Sequence, residues 1–154
     1  MARTAGRSGV IGMIVMVVGV IFAVAGVVTY VMVANELKAE KITVSEDAAN
    51  FAGQDVSGPL TAYAEAEVIN KHALEATGGK TYAELDREDP ARTTAMQASF
   101  LRASLFTSVV AFGVAALATV LGIVLVLIGW ALRSLASSGV VRESSAADTA
   151  AAPA

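Results

Sequence analysis

Two long stretches without a charged residue constrain this chain more than any other feature. The second stretch runs from Leu105 to Leu132, and no charged side chain lies between Arg102 and Arg133. Its Leu, Ile, Val and Phe residues contribute roughly −0.3 to −0.6 kcal/mol each, so together they favour bilayer insertion by about 5 to 10 kcal/mol. The stretch exceeds the ~20 residues that cross a hydrocarbon core. We therefore predict a membrane-spanning helix over residues 105–132.

A similar apolar stretch from Val10 to Ala34 predicts another spanning helix near the N-terminus. A cleaved signal peptide is the alternative, but its apolar region usually has about 7 to 15 residues. The triplet Ala23-Val24-Ala25 has the form of a cleavage site, yet it lies in the middle of the apolar run. We therefore predict that the segment is retained as a signal anchor.

Small residues recur along one face of each predicted span, with glycines seven residues apart in the first. Membrane helices associate through close packing of such residues, because lipid tails are as apolar as leucine. We predict that these faces form the helix-packing surface. The sequence leaves open whether they join the two spans of one chain or spans of neighbouring chains. The predicted packing residues are Gly12, Gly19, Ala23, Gly26, Ala111, Ala115, Ala118, Gly122 and Gly129.

The segment between the spans, residues 35–104, is predicted to be mostly helical. Pro59 opens one helix, which Gly78 and Gly79 end. Asp89-Pro90 opens another, which meets no Gly or Pro before Gly113 and so continues into the second span. Between them lies a turn with the form of a capping box at Thr81–Glu84. Residues 43–58 are predicted to be an irregular connector, with a short extended piece at 42–44.

The predicted fold class is an all-α membrane protein, in which two transmembrane helices form an antiparallel hairpin around a mostly helical extracytoplasmic insert. Arg3 and Arg7 precede the first span, while Arg133 and Arg142 follow the second. Since basic residues favour the cytoplasmic side, we expect a multi-pass plasma-membrane protein with both termini in the cytoplasm. The expected segments are an N-terminal tail (1–9), two spans (10–34 and 105–132), the insert (35–104) and a disordered tail (133–154).

The ionisable residues exclude several function classes. The insert holds seven Lys or Arg against twelve Asp or Glu, which argues against nucleic acid and anionic headgroups as partners. Neither span carries an Asp, Glu, Lys, Arg or His, which argues against a pump, transporter or channel. The chain has no cysteine and a single histidine, His72, so no two-histidine iron site or three-histidine zinc site can form within it.

Three further motifs support a chemical function only weakly. A Ser-His-Asp arrangement around His72 is formally possible, but an isolated histidine on a charged helix is typical of a surface residue. Gly78-Gly79-Lys80-Thr81 lacks the earlier glycine of a phosphate-binding loop and is typical of a helix C-cap. The acidic residues from Glu84 to Asp89 lack the ligand spacing of a calcium loop. We predict no catalytic residue, cofactor or metal site, and identify no small-molecule substrate.

The stretches KITVSEDAANFAG, VINKHALEATGGKTYAELDREDPAR and FLRASLFTSVVAFGVAALA resemble a family of small two-span actinobacterial membrane proteins. The resemblance covers nearly the whole chain. Members are often automatically named aromatic ring-opening dioxygenases of the small-subunit type, a name that implies iron held by histidines and a carboxylate. No motif of that enzyme class is present, so no catalytic residue is carried over.

Two functional hypotheses follow. The first is a non-enzymatic accessory or interaction subunit of a cell-envelope or membrane complex, in contact with the bilayer and with a partner protein or further copies of itself. The alternative, implied by the family's automatic name, is a dioxygenase-related subunit that completes an active site in a partner.

Overall fold

Helices account for most of the chain. The computed structural model describes the backbone of residues 2–150 and the side chains of residues 9–137. Helix α1 spans Ala2–Ala39, α2 spans Pro59–Ala76 and α3 spans Ala91–Ala150. Over residues 2–150 there is no β-strand, only one isolated antiparallel bridge between Thr43 and Asp55. The predicted all-helical fold is confirmed, and α1 and α3 are each long and apolar enough to cross a membrane.

The chain divides into two compact units. The first, called the paired-helix unit below, consists of the residues up to Val27 and those from Ala116 onward, so it contains parts of α1 and α3 only. The second, called the insert unit, comprises Val28–Ala115. It contains all of α2, both connectors and the adjoining turns of α1 and α3.

The core of the insert unit draws on all three helices and on the connector before α2. Leu37 comes from α1, Val44 and Val56 from the connector before α2, and Leu105 and Phe112 from α3. Val44, Val56 and Phe112 are almost completely buried. Helix α2 contributes Ala62 and Ala66, which are four residues apart and therefore lie on one helical face. Both are fully buried, so α2 packs closely on this core.

The connector before α2 is held by backbone hydrogen bonds around the bridge. Val44 N–H donates to the Gln54 carbonyl oxygen at 2.8 Å, and Val56 N–H donates to that of Ile42 at 2.9 Å. These bonds satisfy the backbone where Val44 and Val56 enter the core. The extended piece predicted at 42–44 is therefore present as one arm of this short ladder.

Helix α2 begins and ends at the residues that the sequence predicts. Pro59 is its first residue, and the Thr61 hydroxyl accepts a hydrogen bond from Gly58 N–H at 3.2 Å. At the other end Gly78 has a φ of +65°, the left-handed conformation that glycine adopts without strain. Gly79 N–H then donates to the Leu74 carbonyl oxygen at 2.7 Å, which closes a Schellman motif.

The capping-box pattern after α2 forms a turn, but no helix follows it. Thr81 N–H and the Thr81 hydroxyl donate to the Glu84 carboxylate at 2.8 and 2.7 Å. The residue before a proline is disfavoured in the α conformation, so Pro90 limits any helix started here. Asp89 instead caps α3, since its carboxylate accepts from Ala91 N–H at 2.9 Å.

Helix α3 is longer than the sequence analysis expected. It runs unbroken from Ala91 into the apolar stretch, as predicted, but it also continues to Ala150. The tail expected to be disordered from residue 133 is therefore helical as far as Ala150, and 151–154 lie outside the described residues. Extending an existing helix is cheaper than nucleating one, and this alanine-rich tail meets no proline before Pro153.

Candidate functional site

Glycines bring α1 and α3 into backbone contact in the paired-helix unit. A Cβ atom added at Gly12 would lie 2.8 Å from the Gly129 carbonyl oxygen, and one added at Gly129 would lie 2.5 Å from that of Gly12. Carbon atoms do not approach carbonyl oxygens this closely without repulsion. The two glycines are therefore needed for the helices to meet here at this separation.

A second pair lies seven residues further along each helix. A Cβ atom at Gly19 would lie 2.6 Å from the Gly122 carbonyl oxygen, and one at Gly122 would lie 2.5 Å from that of Gly19. A Cβ at Gly122 would also meet the backbone of Ala23, 2.8 Å from its Cα. Because Gly12 faces Gly129 while Gly19 faces Gly122, the helices run antiparallel here. A seven-residue interval is typical of a left-handed crossing.

The other predicted packing residues lie in several environments. Gly26 is buried, and Ala23 and Ala118 are half-buried. Ala115 is buried within the insert unit, but Ala111 is half-buried and lines an open groove of about 510 Å³ between α1 and α3. Every contact of a glycine pair described above lies within one chain. The structure thus brings Gly12, Gly19, Ala23, Gly122 and Gly129 together.

A buried glutamate ties the connector to α2. Glu65 is only 7% exposed, and its carboxylate accepts hydrogen bonds from Ser45 N–H at 2.8 Å and from the Ser45 hydroxyl at 3.2 Å. The sequence pattern gave Glu65 no structural role. The available signal was its position one residue before the buried Ala66. A residue next to the buried face of a helix is itself partly enclosed.

An exposed cluster lies at the other side of the same connector. Asp47 Oδ2 lies 2.9 Å from both Lys71 Nζ and His72 Nε2. The hydrogen bonds with Lys71 and then His72 lower the pKa of Asp47 from 3.8 to about 2. The same contact raises the pKa of Lys71. The cluster therefore links the connector to α2 at the surface, and the buried Glu65 links the same two elements in the interior.

These groups do not assemble a reaction centre. His72 is paired with Asp47, but the hydroxyl of Ser45 is engaged by Glu65 and gives His72 no nucleophile. Among the side chains of residues 9–137, no group of three or more His, Cys, Asp or Glu is placed to hold a metal ion. The turn at Gly78-Gly79 is the helix C-cap described above, and a Cβ added at either glycine would meet no atom within 4 Å.

A groove beside this cluster exposes large apolar side chains. Phe51, Leu60 and Tyr63 line a groove of about 380 Å³ between the connector and α2, and Leu60 is 66% exposed. Glu67, which accepts a hydrogen bond from the Tyr63 hydroxyl at 2.9 Å, and Lys71 lie along its edge. Aromatic and aliphatic residues inside a polar rim are typical of a protein-binding surface.

The chain matches no protein-family model, no curated protein and no solved structure. Its function must therefore be argued from its own geometry.

Proposed function

We propose that the protein is a non-enzymatic, two-span integral membrane protein that acts as an accessory subunit of a cell-envelope or membrane complex. One observation carries the membrane assignment. Only 17% of the most apolar window of each long helix is buried within the chain. The core helix of a water-soluble protein buries most of such a window. The remaining apolar surface of α1 and α3 needs another apolar environment, which the lipid bilayer supplies.

The size of this surface supports the same conclusion. More than twenty large apolar side chains on α1 and α3 are exposed, among them Ile21 at 60% and Leu117 at 67%. At roughly 1 kcal/mol for each half-exposed side chain, moving them from water into a bilayer is favourable by about 20 kcal/mol.

The packing of α1 supports a retained anchor over a cleaved signal. Gly12 and Gly19 pack on α3 within the paired-helix unit, and Leu37 belongs to the core of the insert unit. Cleavage at Ala25 would remove Gly12 and Gly19 and expose the face of α3 on which they pack. We therefore propose an antiparallel transmembrane hairpin with both termini cytoplasmic and residues 35–104 outside.

The groove at Phe51, Leu60 and Tyr63 supports an interaction role. It lies on the segment that we propose to be extracytoplasmic, and it combines exposed apolar side chains with a charged rim. We propose that a second protein in the membrane or envelope docks there.

Extraction and co-purification test this function in the full chain. We expect alkaline carbonate to leave the protein in the membrane pellet, and Leu60→Glu to abolish recovery of a discrete partner that the native chain retains. Glu88→Lys, at an exposed residue outside the groove, is the matched surface control. An adduct of twice the chain's mass after crosslinking would identify the partner as a second copy.

Three results would contradict the proposal. Recovery of the intact chain from the aqueous fraction without detergent would remove the membrane assignment. Equal partner recovery by native chain and Leu60→Glu would remove the groove as the docking surface. Stoichiometric iron with catechol cleavage would show an enzyme instead of an accessory subunit.

A further inference from the structure

A small cavity lies on the insert unit, apart from the groove at Phe51, Leu60 and Tyr63. It has a volume of about 70 Å³ and lies between the end of α2, the turn after it and the first turns of α3. A water molecule needs roughly 10 to 15 Å³ on this measure, so the cavity has room for about five to seven water-sized groups.

Two cations line this cavity without carboxylate partners. Arg102 reaches it from α3, and Lys80 reaches it from the turn after α2. Among the described side chains, the ion pairs are those that Asp47 makes, so neither Arg102 nor Lys80 is neutralised by one. Glu84 is near enough for Lys80 to contribute to its lowered pKa, but its carboxylate is bound by Thr81.

Arg102 also carries a buried hydrogen-bond donor that is not used. Its Nε has no partner although solvent does not reach it. A buried, unsatisfied donor costs about 1 to 3 kcal/mol, and more when the group is charged. The guanidinium carbon lies 5.7 Å from the centre of the Phe106 ring, which fixes its position but accepts no conventional hydrogen bond.

The remaining polar lining is suited to an anion. Asn70 adds an amide, and Tyr82 adds a hydroxyl. Thr81 and Ser99 also line the cavity, but their hydroxyls donate to Glu84 and to the Ala95 carbonyl oxygen. No carboxylate lines the cavity. The lining therefore offers a fork-shaped guanidinium, an ammonium and neutral donors, which is the chemistry that binds phosphate oxygens.

We propose that this cavity binds a phosphate group. Its two possible sources are the headgroup of an anionic phospholipid and a free phosphate. A lipid headgroup as the source rests on the proposed membrane function. Arg102 precedes the apolar stretch that begins at Leu105 by less than one helical turn, so in the membrane it lies at the level of the headgroups. The net acidity of the insert does not oppose this binding, because the cavity itself is lined by cations and neutral groups.

Binding to the purified full chain in a phosphate-free detergent tests this site. The probes are phosphatidylglycerol, followed by native mass spectrometry, and inorganic phosphate, followed by calorimetry. We expect one phosphatidylglycerol per chain, with affinity lowered about tenfold by Arg102→Gln and by Lys80→Gln, since each loses a charge-assisted hydrogen bond. Arg87→Gln makes the same change in net charge at an exposed residue outside the cavity and leaves affinity unchanged.

The two probes separate the sources. Phosphatidylglycerol binding that depends on Arg102 identifies a lipid site, whereas Arg102-dependent binding of inorganic phosphate alone identifies a site for a free phosphate. Absence of both, or an equal loss in Arg87→Gln, overturns the proposal. Circular dichroism of Arg102→Gln checks that the helices persist. Release of the chain from the membrane by alkaline carbonate would remove the membrane function, but the inorganic phosphate measurement would still test the cavity.

Discussion

Glu65 and Glu67 lie two residues apart on α2, yet they have opposite structural roles. Glu65 is buried and accepts the Ser45 hydrogen bonds, whereas Glu67 is exposed and accepts only from the Tyr63 hydroxyl. The sequence does not distinguish them, because both follow alanine in a repetitive stretch. The register in which α2 packs on the core decides which carboxylate is enclosed, and that register depends on contacts with α1 and α3.

We predict that Glu65→Ala destabilises the protein by about 1 to 3 kcal/mol, because it leaves the Ser45 N–H without its acceptor in a part-buried site. Glu67→Ala is the matched control and is expected to change stability by no more than about 0.5 kcal/mol. Unfolding in detergent, followed by circular dichroism, gives both values. Faster hydrogen exchange at residues 43–56 in Glu65→Ala alone would locate the effect. Equal losses in the two variants would contradict the assigned role of Glu65.

Asp47 makes the surface contact between the connector and α2 dependent on pH. Its pKa is about 2 in the folded chain against an ordinary 3.8, mainly because of the hydrogen bond with Lys71 and then that with His72. A lowered pKa means that the folded state binds its proton less tightly than the unfolded state. The stabilisation is therefore complete above about pH 4 and is lost as the pH falls towards 2.

We predict that the native chain loses stability between pH 4 and pH 2 more steeply than Asp47→Asn, which has no carboxylate to protonate there. Because the cluster is exposed, the difference is small and is reduced by salt. Thermal unfolding of both proteins in detergent across this pH range measures it. Parallel profiles would show that Asp47 does not titrate as the geometry requires.

At the scale of elements, the sequence predicts where the helices lie better than it predicts which helices pack together. Proline at 59, the glycine pair at 78 and 79 and the capping Asp89 are local signals, and each acts at the helix end where it occurs. The seven-residue glycine spacing indicates a face, but it carries no information on what opposes that face. The structure supplies the pairing of Gly19 with Gly122 within one chain.

Two glycines of α3 provide a matched test of this pairing. A Cβ at Gly122 would lie 2.5 Å from the Gly19 carbonyl oxygen, whereas one at Gly113 would meet no atom within 4 Å. We predict that Gly122→Ala costs about 1 to 3 kcal/mol through overpacking. Gly113→Ala is expected to be neutral or stabilising, since alanine favours helix over glycine by about 1 kcal/mol. Unfolding by a denaturing detergent compares them, and equal stabilities would show that the pairing tolerates a methyl group.

At the scale of the whole molecule, the net charge of the insert does not describe how its charges are distributed. Its net acidity argued against anionic headgroups, but acidic and basic residues occupy different surfaces once the chain folds. Asp47 is neutralised by its neighbours, while Lys80 and Arg102 meet at a cavity that no carboxylate lines. The one hint in the sequence was Arg102 itself, the lone charge between Arg92 and Arg133.

The antiparallel pairing strengthens the argument for orientation. In the paired-helix unit, a Cβ at Gly12 would lie 3.0 Å from the Cγ of Arg133, and one at Gly9 would lie 3.9 Å from Ala136. Arg133 thus lies beside the turns of α1 at Gly9 and Gly12, and we propose that this basic end of the helix pair faces the cytoplasm.

This arrangement predicts which single cysteines a membrane-impermeant maleimide reaches in intact cells. The chain has no cysteine of its own, so each variant carries one labelling site. We expect Glu75→Cys, exposed at the end of α2, to be labelled from outside. Ser137→Cys, exposed on α3 beyond Arg133, should be labelled only after the cells are permeabilised. The reverse pattern would invert the orientation, and labelling of both variants in intact cells would show that α3 does not cross the membrane.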